Sequence, residues 1–277
     1  MSGAKLDFSN EYARNARLKP ALLVSLPVAL LAMTFGLKSS VLVGALFGPL
    51  TAVGFTYLLA HLTRDFGVKK QPELFRNWDG KPSVTKLRHR DASLNPHTRE
   101  RYHEKAAELL GKRLPTAADE ESNPAAADLL YEAYSNLLLE CTRDTKKFRL
   151  LFEELISYGF RRNLFALKSL GLCLCAFCLL AEMVALGHAV RKGIGGVETT
   201  AVFAALDSFL MVCWWFWIRT DWVRRAADAY ADRLLAASEN LGPGSATKRS
   251  RETSRPKRKS TSIAAKPEIQ RPEESRT

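Results

Sequence analysis

The stretches that decide the fold are two apolar runs, LFALKSLGLCLCAFCLLAEMVALGHA at residues 164–189 and VETTAVFAALDSFLMVCWWFWI at residues 197–218. Each has about the ~20 residues that an α-helix needs to cross the hydrocarbon core of a bilayer. Two more apolar runs, at residues 20–36 and 40–61, form a similar pair nearer the N-terminus. The sequence therefore predicts an all-α integral membrane protein with four transmembrane helices arranged as two hairpins.

The mean hydropathy of -0.13 is that of a soluble protein, because it averages these runs with highly charged segments. The predicted organisation has six parts. They are a cytoplasmic N-terminal segment (1–19), transmembrane hairpin 1 (20–61), a mainly helical cytoplasmic domain (62–163), transmembrane hairpin 2 (164–218), a cytoplasmic helix (219–241) and a disordered basic tail (242–277).

The distribution of lysine and arginine predicts the orientation. Of the 41 basic residues, only Lys38, Arg191 and Lys192 lie in the two short turns opposite the long loop. Basic residues are enriched on the cytoplasmic side of membrane proteins. Both termini and the long loop are therefore predicted to be cytoplasmic, and the Ala-, Leu- and Arg-rich composition favours a bacterial inner membrane.

Two acidic residues, Glu182 and Asp207, interrupt the second hairpin. Their depths, counted from the outer turn, differ by roughly 5 Å along the helices. A charged carboxylate at mid-bilayer costs at least ~2.5 kcal/mol, so such residues are functional candidates for ion or proton passage. The alternative is that one or both are neutral and form a hydrogen bond with a neighbouring helix.

Small residues mark two of the predicted spans. Gly44, Gly48 and Ala52 form a face on which helix backbones can approach closely, either within the chain or in self-association. The three cysteines between residues 173 and 178 point to different sides of a helix, so we interpret them as apolar packing. The sequence predicts no metal site and no cofactor.

Charge is segregated within the long loop. Residues 64–113 contain 13 basic and 7 acidic residues, whereas residues 114–145 contain one arginine and seven acidic residues. This pattern is typical of a docking site for an anion, or of an acidic helix that packs against basic neighbours.

Capping signals predict helices in the loop. Asn95-Pro96 and Asn123-Pro124 each place proline after an N-cap residue, and they predict helices that end near residues 111 and 142. An apolar stripe at 148–156 extends the third span as a helix, and a short strand is predicted at 83–88.

The apolar pattern continues after the fourth span. Steps of four and three residues relate Val223, Ala227, Tyr230, Leu234, Ala237 and Leu241. They predict a helix that pairs with the 148–156 stripe in an antiparallel stalk. The basic tail that follows is expected to bind anionic lipid headgroups through its lysines and arginines. Nucleic acid is the alternative partner of this tail.

One stretch of the loop is dense in imidazole, guanidinium and other polar groups. Its candidate ligand-binding residues are Arg88, His89, Arg90, Asp91, His97, Arg99, Arg101, Tyr102 and His103. Guanidinium groups form hydrogen bonds with phosphate, and an aromatic ring can stack on a base. One interpretation is therefore a binding site for a nucleotide or another anion. The alternative is a polar surface held by ion pairs.

These features favour a non-enzymatic membrane protein. Its cytoplasmic module is expected to bind a protein partner, a second copy of the chain or an anionic or nucleotide ligand, and to couple this binding to the membrane bundle. The first alternative is ion or proton permeation through Glu182 and Asp207. The second is a membrane-interface enzyme that acts on a phosphorylated or lipidic substrate.

Overall fold

The computed structural model describes residues 11–36, 41–193 and 195–242, and it describes residues 35, 36 and 41–56 by their backbone alone. Every regular element in these ranges is helical, so the all-α prediction is confirmed. The α-helices are α1 (Glu11–Ala13), α2 (Lys19–Gly36), α3 (Val41–Asn77), α4 (Pro82–Thr85), α5 (Pro96–Leu110), α6 (Ala117–Ser122), α7 (Pro124–Cys141), α8 (Arg149–Ala166), α9 (Lys168–Lys192), α10 (Val197–Phe216) and α11 (Thr220–Ala237). A π-helical segment, Arg14–Leu18, joins α1 to α2, and a 3-10 turn, Ser238–Asn240, follows α11.

Within the described residues, three helical stretches are long and apolar enough to cross a membrane. They are Glu11–Thr34, Lys168–Lys192 and Val197–Phe216. Large apolar side chains point outward from them, and Phe177, Leu180 and Phe209 are 66%, 65% and 63% exposed. An apolar surface of this kind is typical of helices that face lipid.

Helix α2 packs against α3, α9 and α10, and α9 packs against α10. We name α2, α9, α10 and residues 41–61 of α3 the apolar bundle. The small-residue face predicted at Gly44, Gly48 and Ala52 belongs to the part of α3 whose side chains lie outside the described residues. The N-terminal residues 1–10 and nearly all of the predicted basic tail, from residue 243, also lie outside them.

Helix α3 does not end at residue 61, where the predicted second span ends, but continues to Asn77. Its last turns bury Leu74 and the adjoining Trp78 against Tyr158 of α8 and Val223 of α11. Helices α8 and α11 also pack along each other. Residues 62–77 of α3 together with α8 and α11 therefore form a three-helix unit, which we name the stalk.

Helices α4–α7 pack on the end of the stalk that lies away from the apolar bundle, and we name them the polar domain. Its core joins Leu87, Tyr131 and Leu138 to Leu234 and Leu235 of α11. The latter two are fully buried. The apolar seam predicted after the fourth span thus supplies one wall of this core.

The capping predictions in the polar domain are confirmed. Helix α5 begins at Pro96, and the Asn95 side chain accepts a hydrogen bond from the His97 backbone at 2.9 Å. Helix α7 begins at Pro124, and the Asn123 side chain accepts from the Ala126 backbone at 3.1 Å. Each cap satisfies an amide that has no partner within its helix.

The strand predicted at 83–88 is wrong. Pro82–Thr85 is a single helical turn, with Pro82 at its first position and the Lys86 amide bonded to the Pro82 carbonyl. Proline fixes φ near the helical value and removes a donor that a first helical turn does not need. The predicted strand covers only six residues, so its pattern of side chains is a weaker signal than the proline that begins a helical turn.

The π-helical segment is tied to the stalk by one amide. Asn163 of α8 donates to the Ala16 carbonyl at 2.6 Å. Gly67 of α3 lies directly against the same side chain, because a Cβ atom on Gly67 would stand 1.9 Å from the Asn163 Oδ1 atom. The close approach of α3 to α8 therefore depends on glycine at position 67.

We expect Gly67→Ala to destabilise the protein by about 1–3 kcal/mol, because it displaces the Asn163 amide and leaves the buried Ala16 carbonyl without its partner. Thermal unfolding of the full chain in detergent measures this change. Gly187→Ala in α9 is the matched control, since nothing lies within 4 Å of its added methyl group. Equal unfolding temperatures for the two variants would contradict the assignment.

Candidate functional site

Arg88 lies in the interior of the polar domain. Its side chain is 6% exposed, and its Nε and Nη2 atoms donate to the two carboxylate oxygens of Asp128, each at 2.8 Å. Its Nη1 atom donates to the Asp79 backbone carbonyl at 2.8 Å and to the Asp79 carboxylate at 2.6 Å. The donors of Arg88 are thus directed at groups of this chain.

Arg99 has a similar structural role. Its Nη1 atom donates to the backbone carbonyls of Arg88 and His89, each at 2.7 Å, and the residue is buried. Both carbonyls lie in the loop after the short α4, outside any helix. Arg99 therefore holds the α4–α5 loop against α5.

Glu120 of α6 forms the centre of a hydrogen-bond network. Its carboxylate accepts from the His89 amide at 2.7 Å and from the Tyr131 hydroxyl at 2.8 Å, and Arg90 pairs with it at 3.2 Å. Burial alone would raise the pKa of Glu120, but these donors outweigh it and lower the pKa. The basic and acidic segments of the loop therefore pack against each other through Glu120 and Asp128.

The two histidines nearest to this network contact each other. The rings of His89 and His103 lie edge to face with centroids 4.9 Å apart. His89 Nε2 donates to the Pro115 carbonyl at 3.0 Å, and His103 Nε2 donates to the Leu87 carbonyl at 2.8 Å. Each carbonyl partner keeps a proton on Nε2 and so fixes the orientation of its ring.

The remaining candidate residues do not converge on one cavity. His97 is exposed at the start of α5, and Arg101 pairs with Glu239 at 2.9 Å on the surface. Asp91 accepts from the Ser93 amide at 2.7 Å, which closes a turn. Tyr102 is buried in the core of the polar domain. Of the nine candidates, four basic or imidazole residues are exposed to solvent: His89, Arg90, His97 and Arg101.

We expect the polar domain to lose stability as the pH falls below about 6.5, because burial lowers the pKa of His103 from its ordinary value of 6.5. Between the folded and unfolded pKa values the unfolded chain binds more protons, so acid favours unfolding by at most about 1.4 kcal/mol per pH unit. Thermal unfolding between pH 7.5 and 5.5 measures the effect.

The matched variants for this prediction are His103→Gln and His97→Gln. Glutamine at position 103 can still donate to the Leu87 carbonyl, but it cannot titrate, so the pH dependence should flatten. His97 is exposed, and its substitution should leave the slope as it is. Equal slopes for the two variants would contradict the role of His103.

A second cluster of polar groups lies inside the apolar bundle. The buried face of α9 carries Gly171, Cys175, Cys178 and Glu182, and that of α10 carries Thr200, Ala204, Asp207 and Trp214. Successive residues are four, three and four positions apart on α9 and four, three and seven positions apart on α10, which is the seam of two helices that pack side by side. The Trp214 indole would lie 2.8 Å from a Cβ atom on Gly171, so the helices approach closely at this level.

Glu182 and Asp207 are both fully buried. None of their four carboxylate oxygens has a hydrogen-bond partner among the described residues. The two carboxyl groups interact electrostatically, and the Thr34 hydroxyl of α2 also lies near Glu182. That hydroxyl is not in hydrogen-bonding geometry with Glu182 but donates to the Leu30 carbonyl at 3.2 Å.

Cys175 and Cys178 lie on the same buried face of α9 as Glu182, and both interact electrostatically with Asp207. The described residues contain no group of three or more His, Cys, Asp or Glu side chains that could hold a metal ion. The two thiols pack as small apolar groups, and Cys173 points outward. The cluster therefore consists of two carboxyl groups in an apolar interior, which is an arrangement that can take up and release protons.

Two structurally central residues were not identified from the sequence. Glu120 is one of seven acidic residues in its segment, and only the three-dimensional contacts distinguish it from exposed Glu121. The sequence does mark Asn163, because this amide and the two arginines before it directly precede an apolar run.

Comparison of the chain with protein-family models, curated proteins and solved structures finds no match.

Proposed function

We propose that this chain is a non-enzymatic, four-span membrane protein whose polar domain binds a protein partner or an anionic ligand and couples this binding to the apolar bundle. In this proposal α3 supplies the fourth crossing, since its 37 residues reach about 55 Å, enough for a bilayer and the stalk. The asymmetry of lysine and arginine supports a cytoplasmic location for the stalk, the polar domain and both termini.

The observation that carries this proposal is the continuity of helices between the two parts. Leu167 alone separates α8 from α9, and three residues separate α10 from α11. Phe165 and Trp222 pack both in the apolar bundle and in the stalk, and Tyr230 packs both in the stalk and in the polar domain. A rearrangement of the polar domain therefore has a packed route to α9 and α10.

Hydrogen exchange tests the coupling directly. Full-length protein in lipid nanodiscs is measured with ATP, with inorganic phosphate and without either probe. The proposal expects one of them to slow exchange in α5 or α7 and also in α9 and α10. Protection confined to the polar domain would contradict coupling, and no protection by either probe would contradict an anionic ligand of this type.

We propose proton passage through the apolar bundle as a second candidate function. The observation that favours it is the fully buried pair Glu182 and Asp207, whose carboxylate oxygens lack hydrogen-bond partners among the described residues. A buried carboxyl group without such partners is costly, and in membrane proteins it marks a pathway for ions or protons. Acidification of liposomes under a pH gradient measures this activity.

A further inference from the structure

Three arginines belong to three elements that pack against one another where the stalk joins the apolar bundle. Arg17 belongs to the π-helical segment, Arg64 to α3 and Arg162 to α8. The electrostatic neighbours of Arg17 include both Arg64 and Arg162. In sequence, each arginine lies within three residues of the end of a predicted span, so the group stands at the depth of lipid headgroups.

The partners of Arg162 are neutral. Its Nη1 atom donates to the Gln71 side chain at 2.6 Å, its Nη2 atom donates to the Asn163 side chain at 3.2 Å, and its guanidinium lies 5.5 Å from the Tyr158 ring centroid. The residue is nevertheless only 8% exposed. A cation so deeply buried is normally paired with an anion.

Arg17 also lacks an anion in contact. Its Nε atom is buried without a hydrogen-bond partner among the described residues, and its guanidinium lies 5.6 Å from the Tyr12 ring centroid. Asp65 is the acidic group near it. Within the described part of the chain, none of the three arginines forms an ion pair, and Asp65 is the one carboxylate among the electrostatic neighbours of Arg17.

We propose that Arg17, Arg64 and Arg162 form a binding site for the phosphate group of an anionic phospholipid from the adjacent leaflet. Guanidinium groups bind phosphate oxygens through paired, charge-assisted hydrogen bonds. A phosphodiester at headgroup depth would supply the missing negative charge, and its acyl chains would lie along the apolar bundle. Free phosphate shares the headgroup chemistry, but it lacks the chains that fit this location.

The π-helical segment explains how the site is built. Asn163 is held between Arg162 and the Ala16 carbonyl, so it fixes the segment that carries Arg17 against the helix that carries Arg162. Gly67 allows α3, and with it Arg64, to approach the same amide. This site is separate from the residues at 88–103 and from Glu182 and Asp207. It requires the membrane location, but it does not require coupling or proton passage.

Native mass spectrometry of the full-length protein in detergent tests the site by titration with phosphatidylglycerol, phosphatidylcholine or inorganic phosphate. We expect phosphatidylglycerol to bind at least tenfold more tightly than the other two probes. We also expect Arg17→Gln and Arg64→Gln each to weaken that binding by at least tenfold. Arg14→Gln is the matched control, because Arg14 is an exposed cation of the same segment, and it should change the affinity less than twofold.

The outcomes separate the possible sources of the phosphate group. Inorganic phosphate that binds as tightly as phosphatidylglycerol, and that is lost in the same variants, would overturn the lipid assignment. Equal affinities of Arg17→Gln and the control would overturn the site itself. Neither Arg17 nor Arg64 forms an ion pair among the described residues, so both variants should keep the unfolding temperature of the parent, which is measured in parallel. If Arg17→Gln fails to fold, Arg64→Gln decides by the same criterion.

Discussion

Asp207→Asn should reduce proton flux through the protein in liposomes to the level of protein-free vesicles. Asparagine keeps the size of the side chain but cannot release a proton. A pathway that includes this carboxyl group is therefore interrupted, while the packing of α9 against α10 is preserved. The measurement is the quenching of a pH-sensitive dye inside vesicles under an imposed pH gradient.

The position of Asp207 makes this a large effect. Asp207 is fully buried near the middle of α10, and it interacts electrostatically with Glu182 on α9. Neither carboxyl group has a hydrogen-bond partner among the described residues. Glu198→Gln is the matched control, because Glu198 is exposed in the first turn of α10. Asp207→Glu should restore part of the flux.

Two results would contradict proton passage. Flux that Asp207→Asn leaves unchanged would exclude this carboxyl group from any pathway, and the absence of flux in the parent protein would remove the second candidate function altogether. Neither result would affect the coupling proposed for the polar domain, because that proposal rests on the continuity of α8 with α9 and of α10 with α11.

Local signals in the sequence predicted much of the helical architecture. The Asn-Pro pairs fixed the starts of α5 and α7, because an N-cap and a proline act on the helix that directly follows them. The apolar period after the fourth span identified the buried face of α11, with Val223, Ala227 and Leu234 all buried. Both signals involve residues that are close together in the chain.

The continuation of α3 beyond residue 61 was missed for a physical reason. The buried face there begins with Thr63 and Gly67, which are not apolar enough to reveal a period, and only Leu74 and Trp78 make it recognisable. In a tightly packed stalk, small residues mark the contact because they let the helices approach. Hydrophobicity alone does not detect such a face.

The arginine and histidine stretch shows where sequence reasoning ends. Its many cationic side chains are compatible both with a phosphate-binding site and with ion pairs inside the domain. The carboxylates that decide between these interpretations, Glu120 and Asp128, lie about 30–40 residues away from their arginine partners. Arg17, Arg64 and Arg162 are likewise far apart in sequence, and only folding packs together the elements that carry them.

Glu120→Ala should destabilise the polar domain by about 3 kcal/mol. The substitution leaves the His89 amide and the buried Tyr131 hydroxyl without an acceptor, and each such loss costs about 1–3 kcal/mol. Arg90 can turn toward water because 42% of its side chain is exposed, so its lost ion pair contributes little. Chemical unfolding of the full-length protein in detergent measures the change.

The same variant distinguishes a coupled protein from two parts joined only in sequence. If the polar domain stabilises α9 and α10 through Tyr230, Trp222 and Phe165, Glu120→Ala should also speed hydrogen exchange in both helices. Glu121→Ala is the matched control, since its side chain is exposed on the same helix and should change neither part. Faster exchange confined to α4–α7 would show that the apolar bundle is stable without the polar domain, and the coupling proposal would then fail.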